Sequence, residues 1–211
     1  LYFMQAQLGG SRTDQSGVRT APLWHLEFDR TGRAFGFNYR ATGIGTDFES
    51  HAGFVPRSDI VSAHAFNRVS FYGEQGDLLE QVNLRGGLNG IWNYRDLGVR
   101  GPAESALEVE GDARLRGGWK LRGDVELASF RYSPDVFLGY SVAGDPQDRP
   151  YVPVDMEHAP SLAIGATTPA FKAFDADAEV EWGQVPIFDE GSEGHETGLS
   201  LATNVRAGGS L

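Results

Sequence analysis

The sequence predicts an all-β fold, an antiparallel up-and-down transmembrane β-barrel that is partial, with about ten strands present. Three observations carry that reading. Apolar and polar residues alternate with period two along most of the chain, which puts one set of side chains on each face of a strand. The alternating stretches are longer than the five or six residues usual in soluble sheets. Short turns interleave with long polar connections, the asymmetry of barrels that have tight turns on one side of a membrane and longer loops on the other.

Strands are expected near 1–9, 22–30, 33–42, 60–73, 78–97, 106–116, 119–131, 161–171, 173–186 and 197–207. Leu1 to Leu8 reads as a strand already under way, so residues upstream are expected. Trp24, Leu26 and Phe28 lead through Thr31 and Gly32 to Phe35, Phe37 and Tyr39, a hairpin whose other face carries His25, Glu27, Asp29, Asn38 and Arg40. Val61, Ala63, Ala65, Val69 and Phe71 form the next apolar face, and a turn around Gln75, Gly76 and Asp77 follows it. From Leu78 to Tyr94 the parity is unbroken through Val82, Leu84, Leu88 and Trp92, which predicts one long strand with a bend at Gly86 and Gly87.

Leu107, Val109, Ala113 and Leu115 face away from Glu108, Glu110, Asp112 and Arg114. A tight turn at Arg116, Gly117 and Gly118 then reverses the chain into Trp119, Leu121, Val125 and Leu127, with Lys120, Arg122, Asp124 and Glu126 opposite. From Ala173 to Gln184 the same alternation sets Phe174, Ala176, Ala178, Val180 and Trp182 against Asp175, Asp177, Glu179 and Glu181. Polar connections are expected near 10–21, 43–59, 98–105, 132–160 and 187–196.

Period two alone also fits a soluble β-sandwich, in which one face of each sheet meets a core. Strand length and aromatics towards strand ends, at Trp24, Tyr39, Phe71, Tyr72, Trp92, Tyr94, Trp119 and Trp182, favour a barrel with an aromatic girdle. The alternative is a soluble extracellular β-sandwich that binds carbohydrate.

Composition excludes several classes. Gly occupies 28 of 211 positions, scattered without period, which argues against collagen and against long helices. A net charge of −11 and the lack of a Lys/Arg run oppose nucleic-acid binding. With no Cys, disulfides, thiolate metal sites and thiol nucleophiles are ruled out. No apolar run reaches the length of a membrane-spanning helix, and no signal peptide is visible.

The stretch Thr46-Asp47-Phe48-Glu49-Ser50-His51-Ala52-Gly53-Phe54-Val55-Pro56-Arg57, with its Asp-Phe pair, Gly-Phe-Val and Arg, resembles bacterial proteins of the domain of unknown function 5916 family. Gln5 to Thr13, Phe37-Asn38-Tyr39 and Asn93-Tyr94-Arg95 are similar to the same family, over roughly residues 1–100. The resemblance implies an N-terminal carbohydrate-binding-like module followed by a large outer-membrane barrel. Residues 1–211 would then be a fragment of one barrel domain truncated at both ends, with further strands beyond each end. The family has no established activity to carry onto named residues.

The candidate ligand-binding residues are Asp47, Glu49, His51 and Arg57, in a loop that Gly53, Pro56, Phe48 and Phe54 would otherwise shape and anchor. Asp155, Glu157 and His158, and the acidic run Asp189, Glu190, Glu193, His195 and Glu196, have metal-like spacing but match no calcium motif. Hydrolase, zinc-protease, phosphate-loop and dinucleotide motifs are absent, so no enzyme activity, metal or cofactor is expected. The row Asp175, Asp177, Glu179 and Glu181 reads as the wall of a wet lumen, balanced by Arg85, Arg95, Arg114 and Arg122. Outer-membrane lipid is the expected partner, with polysaccharide or a small solute as further candidates; the expected location is the bacterial outer membrane, and the expected role is solute passage, surface binding or anchoring.

Overall fold

In a computed structural model, which describes all residues except 15–16, 51–54, 56, 75, 145–146 and 207–211, the alternating stretches all form strands of one sheet. These are β1 (Tyr2–Thr13), β2 (Arg19–Arg30), β3 (Phe35–Ile44), β4 (Ile60–Tyr72), β5 (Leu79–Asn93), β6 (Glu104–Leu115) and β7 (Lys120–Phe130). Two short strands, β8 (Ser141–Val142) and β9 (Arg149–Pro150), pair with each other in the following connection. The sheet then resumes with β10 (Met156–Thr167), β11 (Phe174–Ile187) and β12 (Ser192–Val205). Every pairing is antiparallel and each strand lies beside its predecessor in the sheet, so the topology is up-and-down.

The ten-stranded sheet is not closed into a barrel: β1 and β12 are its two edges and do not pair with each other. Closure, the finer part of the barrel expectation, is therefore not a property of this stretch. The sheet is also single, so Phe37, Val82, Leu121 and Val180 share one face and do not meet across a sandwich interior.

Register keeps the two faces unmixed, because directly opposed residues of an antiparallel pair point to the same face and a one-residue slip would flip them. Leu26 lies opposite Ala41, Ala41 opposite Ala63, Leu88 opposite Leu107, Leu107 opposite Leu127, and Val125 opposite Leu162. The apolar face runs from β1 to β12, with parity shifting at the strand-end irregularities between Leu79 and Gln81 and between Met156 and Ala159. At Gly86 and Gly87 β5 pairs continuously with both neighbours, so the one long strand expected there is uninterrupted, and its register irregularity lies between Leu79 and Gln81.

The turns match their residues. Gly117 and Gly118 both have positive φ, at 83° and 90°, a conformation that side chains with a Cβ resist, and Leu115 donates its N–H to Trp119 across the reversal at 2.9 Å. At the opposite end of the sheet two polar connections are shorter than the sequence implied, because the strands run further. β1 and β2 leave only 14–18 between them, and β11 and β12 leave only 188–191. The three long connections, 45–59, 94–103 and 131–155, all lie at that end.

Among the described residues most of the dry packing sits where a cap meets one end of the sheet, with Ala21 and Val61 buried in β2 and β4. Tyr132, Phe137, Met156 and Ala159 are each at most 4% exposed, and they bring the 131–155 connection against the start of β10 and the 188–191 turn. Phe137 meets the rings of Tyr132 and Tyr151 edge-on, and Phe130 meets Phe188 with centroids 5.2 Å apart. By contrast Leu88 is 59% exposed, Ile164 58% and Val180 52%. The total accessible surface is 14590 Å², against roughly 9,600 Å² for a compact soluble protein of the same 22.9 kDa mass. One uncovered layer accounts for the excess.

Candidate functional site

The polar face collects the charged chemistry, and its elements put acids where arginines reach them. Arg122 on β7 extends across β10 to β11, donating from Nη2 to Asp177 at 2.7 Å and from Nε to Glu179 at 2.7 Å, and from Nη1 to Thr167 at 3.2 Å. Thr167 completes the network by donating its hydroxyl to Asp177 at 2.6 Å. The crossing is open because residue 165 on β10 is Gly; a Cβ there would stand 2.5 Å from Arg122 Nε. A side chain that bridges alternate strands on one face fits a sheet curled towards that face.

Beside this network Arg85 pairs with Glu110 at 2.8 Å, and Asn83 donates to Asp112 at 2.8 Å. Glu108 lies directly opposite Glu126, and Glu110 opposite Asp124. Like charges opposed in this way repel. Carboxylate oxygens of Glu108, Glu110 and Asp124 come within 4.8 Å of one another, and Oδ2 of Asp124 is buried without a hydrogen-bond partner. Further along the face His25 shares a hydrogen bond with Thr42 at 2.8 Å, His64 with Asn89 at 2.6 Å, and Asn38 donates to Glu27 at 2.7 Å.

The residues chosen from sequence as a ligand site do not converge. Asp47 accepts from Arg19 at 3.4 Å, the Glu49 N–H donates to Ser11 Oγ at 3.1 Å, and Arg57 pairs with Glu104 at 2.5 Å. His51 lies outside the described residues, as do Gly53, Phe54 and Pro56. Each contact ties the 45–59 connection to a different strand, β1, β2 or β6. The described part of this connection is thus strapped across the end of the sheet.

The residue that organises the strap escaped the sequence reading. Asp59, with φ 59°, accepts from Thr46 Oγ1 at 2.7 Å, from the Arg95 N–H at 3.1 Å and from Arg95 Nε at 2.6 Å. Its carbonyl also accepts from the Tyr94 N–H at 2.9 Å. Burial works to raise its carboxyl pKa, but the hydrogen bonds from Thr46 and Arg95, with the guanidinium charge, hold it below the ordinary Asp range. Its signal in the sequence was weak, since a left-handed Asp before a strand has no distinctive spacing.

The other acidic candidates are also dispersed. Asp155 accepts from the Tyr132 N–H at 3.1 Å and faces Arg131 at 3.9 Å, while Glu157 and His158 sit in β10, where the register shifts and His158 has φ 53°. Asp189 and Glu190 are in the last turn, whereas Glu193, His195 and Glu196 belong to β12. Of the expected balancing arginines, Arg85 and Arg122 meet acids on the polar face, and Arg95 serves the Asp59 clasp instead.

No family model, curated protein or solved structure matches this chain.

Proposed function

We propose that this chain is a stretch of the wall of a bacterial outer-membrane barrel, its apolar face against hydrocarbon and its polar face against water, serving solute passage, surface binding or the anchoring of a neighbouring module. The observation that carries the reading is the uncovered apolar face. Nine strand spacings of about 4.8 Å and a band about 25 Å tall make a wall of roughly 1,000 Å², whereas soluble monomers rarely expose contiguous apolar patches beyond a few hundred Å². Hydrocarbon is the partner that matches so broad a surface.

The height of the face agrees. Phe174 and Trp182 bracket Ala176, Ala178 and Val180 on β11. Eight residues at about 3.4 Å each separate these rings by about 27 Å along the strand, and a barrel tilt near 40° reduces that to about 21 Å along the axis. The expected band is about 25 Å. The resemblance of 46–57 to the domain of unknown function 5916 family favours the same placement. A carbohydrate-binding sandwich would need a second sheet over the apolar face, and among the described residues only the small β8–β9 pair lies outside the main sheet.

On the water side, the acids of β6, β7 and β11 outweigh the arginines between them and would favour cationic or neutral solutes over anions. Detergent phase partitioning of the full-length protein tests the proposal. It should enter the detergent phase and aggregate when detergent is removed; a monodisperse protein in plain buffer would refute it.

A further inference from the structure

The apolar face is not uniform. At the short-turn rim, Arg30 projects from the same face as Leu26 and Phe28, because the three alternate along β2. Its guanidinium lies 5.5 Å from the Tyr2 ring centroid and 5.2 Å from that of Phe35. Among the described residues it makes no ion pair, in a protein that carries an excess of acids. Phe28 packs on Phe37 with centroids 4.9 Å apart, and Phe37 stacks on Tyr39 at 4.7 Å, so the arginine sits above a wall of rings.

Next to this wall is a shallow, open hollow of about 370 Å³ whose apolar lining is Met4, Ala6, Leu26, Phe28, Tyr39 and Ala41, with the intervening Gln5, Glu27 and Arg40, and His64, also at its border. Its cause is in the sequence: Ala6 and Ala41 flank Leu26 across the two strand boundaries, and small side chains there leave a dip between larger neighbours. The hollow and the guanidinium are successive features of one strand face. From Leu26 to Arg30 is about 14 Å along β2, so an elongated amphiphile lying along the strand would place its tail in the hollow and its head at the rim. A second guanidinium, that of Arg33, lies 4.7 Å from the Tyr72 ring centroid at the same turn.

We propose that this is a binding site for one anionic glycerophospholipid, an acyl chain filling the hollow and the phosphodiester headgroup meeting Arg30, with Arg33 in reserve at the rim. The inference rests on the membrane reading above. Charge complementarity selects the occupant: an unpaired cation held at the edge of an apolar surface by aromatic faces is satisfied by a headgroup that carries net negative charge. A zwitterionic lipid fills the hollow equally well but gains less at Arg30. Free phosphate offers nothing to the hollow.

The test is lipid retention by the full-length protein in micelles, read by native mass spectrometry after addition of phosphatidylglycerol, phosphatidylcholine or inorganic phosphate. Wild type should retain one phosphatidylglycerol, about fivefold more tightly than phosphatidylcholine, and Arg30→Gln should abolish that preference. Ala41→Phe, which fills the hollow and leaves the guanidinium, should weaken both lipids alike. Phosphate should neither bind measurably nor compete. Equal retention by wild type and both variants, or displacement of the lipid by phosphate, would overturn the site. If the variants and wild type enter bilayers equally yet show no lipid difference, the lipid site fails and the membrane reading stands. If wild type does not enter bilayers at all, both fail.

Discussion

Asp59 shows how much one carboxylate can organise. It holds Thr46 and Arg95 together, and with them the connection after β3 and the short 3-10 turn after β5. Because its folded pKa is depressed, its contribution is complete above the unfolded Asp value near 4 and is lost as pH falls through the lower folded value. Asp59→Asn keeps a residue that tolerates positive φ and removes the charge. It should lower the unfolding free energy by about 1 kcal/mol at pH 7, and the gap to wild type should begin to narrow below about pH 4, which thermal melts at a series of pH values will read. A gap that does not narrow at all as the pH falls below the ordinary Asp value would place the effect elsewhere.

At the scale of the element, the Arg122 bridge depends on an absence. Gly165→Val would put atoms where the guanidinium passes, displacing it from Asp177 and Glu179. Denaturant unfolding should show a loss of about 1–3 kcal/mol, while Gly123→Val on the neighbouring strand, where a Cβ finds its nearest neighbour at 3.8 Å, should cost less. This part of the fold was only half legible. Period two gives the strand, its parity and the polar face of Arg122, since those follow from local alternation. It does not give the partner two strands away, because that depends on register and curl, which the alternation of a single strand does not contain. The same reason scattered Asp47, Glu49 and Arg57: spacing within a loop says nothing of which strand each side chain will reach. Strand ends were misplaced wherever polar residues continue a ladder, as Ser192 to Glu196 do in β12. Loop composition there is strand composition at a water-facing edge.

At the scale of the molecule, the question is what covers the apolar face. A charge placed on it discriminates. Val109 is 51% exposed in the isolated sheet, so in water Val109→Arg should change stability by no more than about 0.5 kcal/mol. Facing hydrocarbon near mid-height, it should cost about 2–4 kcal/mol, measurable by reversible denaturant unfolding from lipid vesicles. Glu110→Gln, one residue on and facing the polar side, should have a far smaller effect. The most direct measurement uses the lack of cysteine in these 211 residues, with any cysteine elsewhere in the full-length protein replaced by serine. Single cysteines from 106 to 114 along β6, spin-labelled in the vesicle-reconstituted full-length protein, report access to oxygen and to a water-soluble nickel complex. Oxygen access should peak at 107, 109, 111 and 113 and nickel access at 106, 108, 110, 112 and 114. Nickel access at every position, or labels at 107 and 109 shut off from both reagents, would contradict a face turned to lipid.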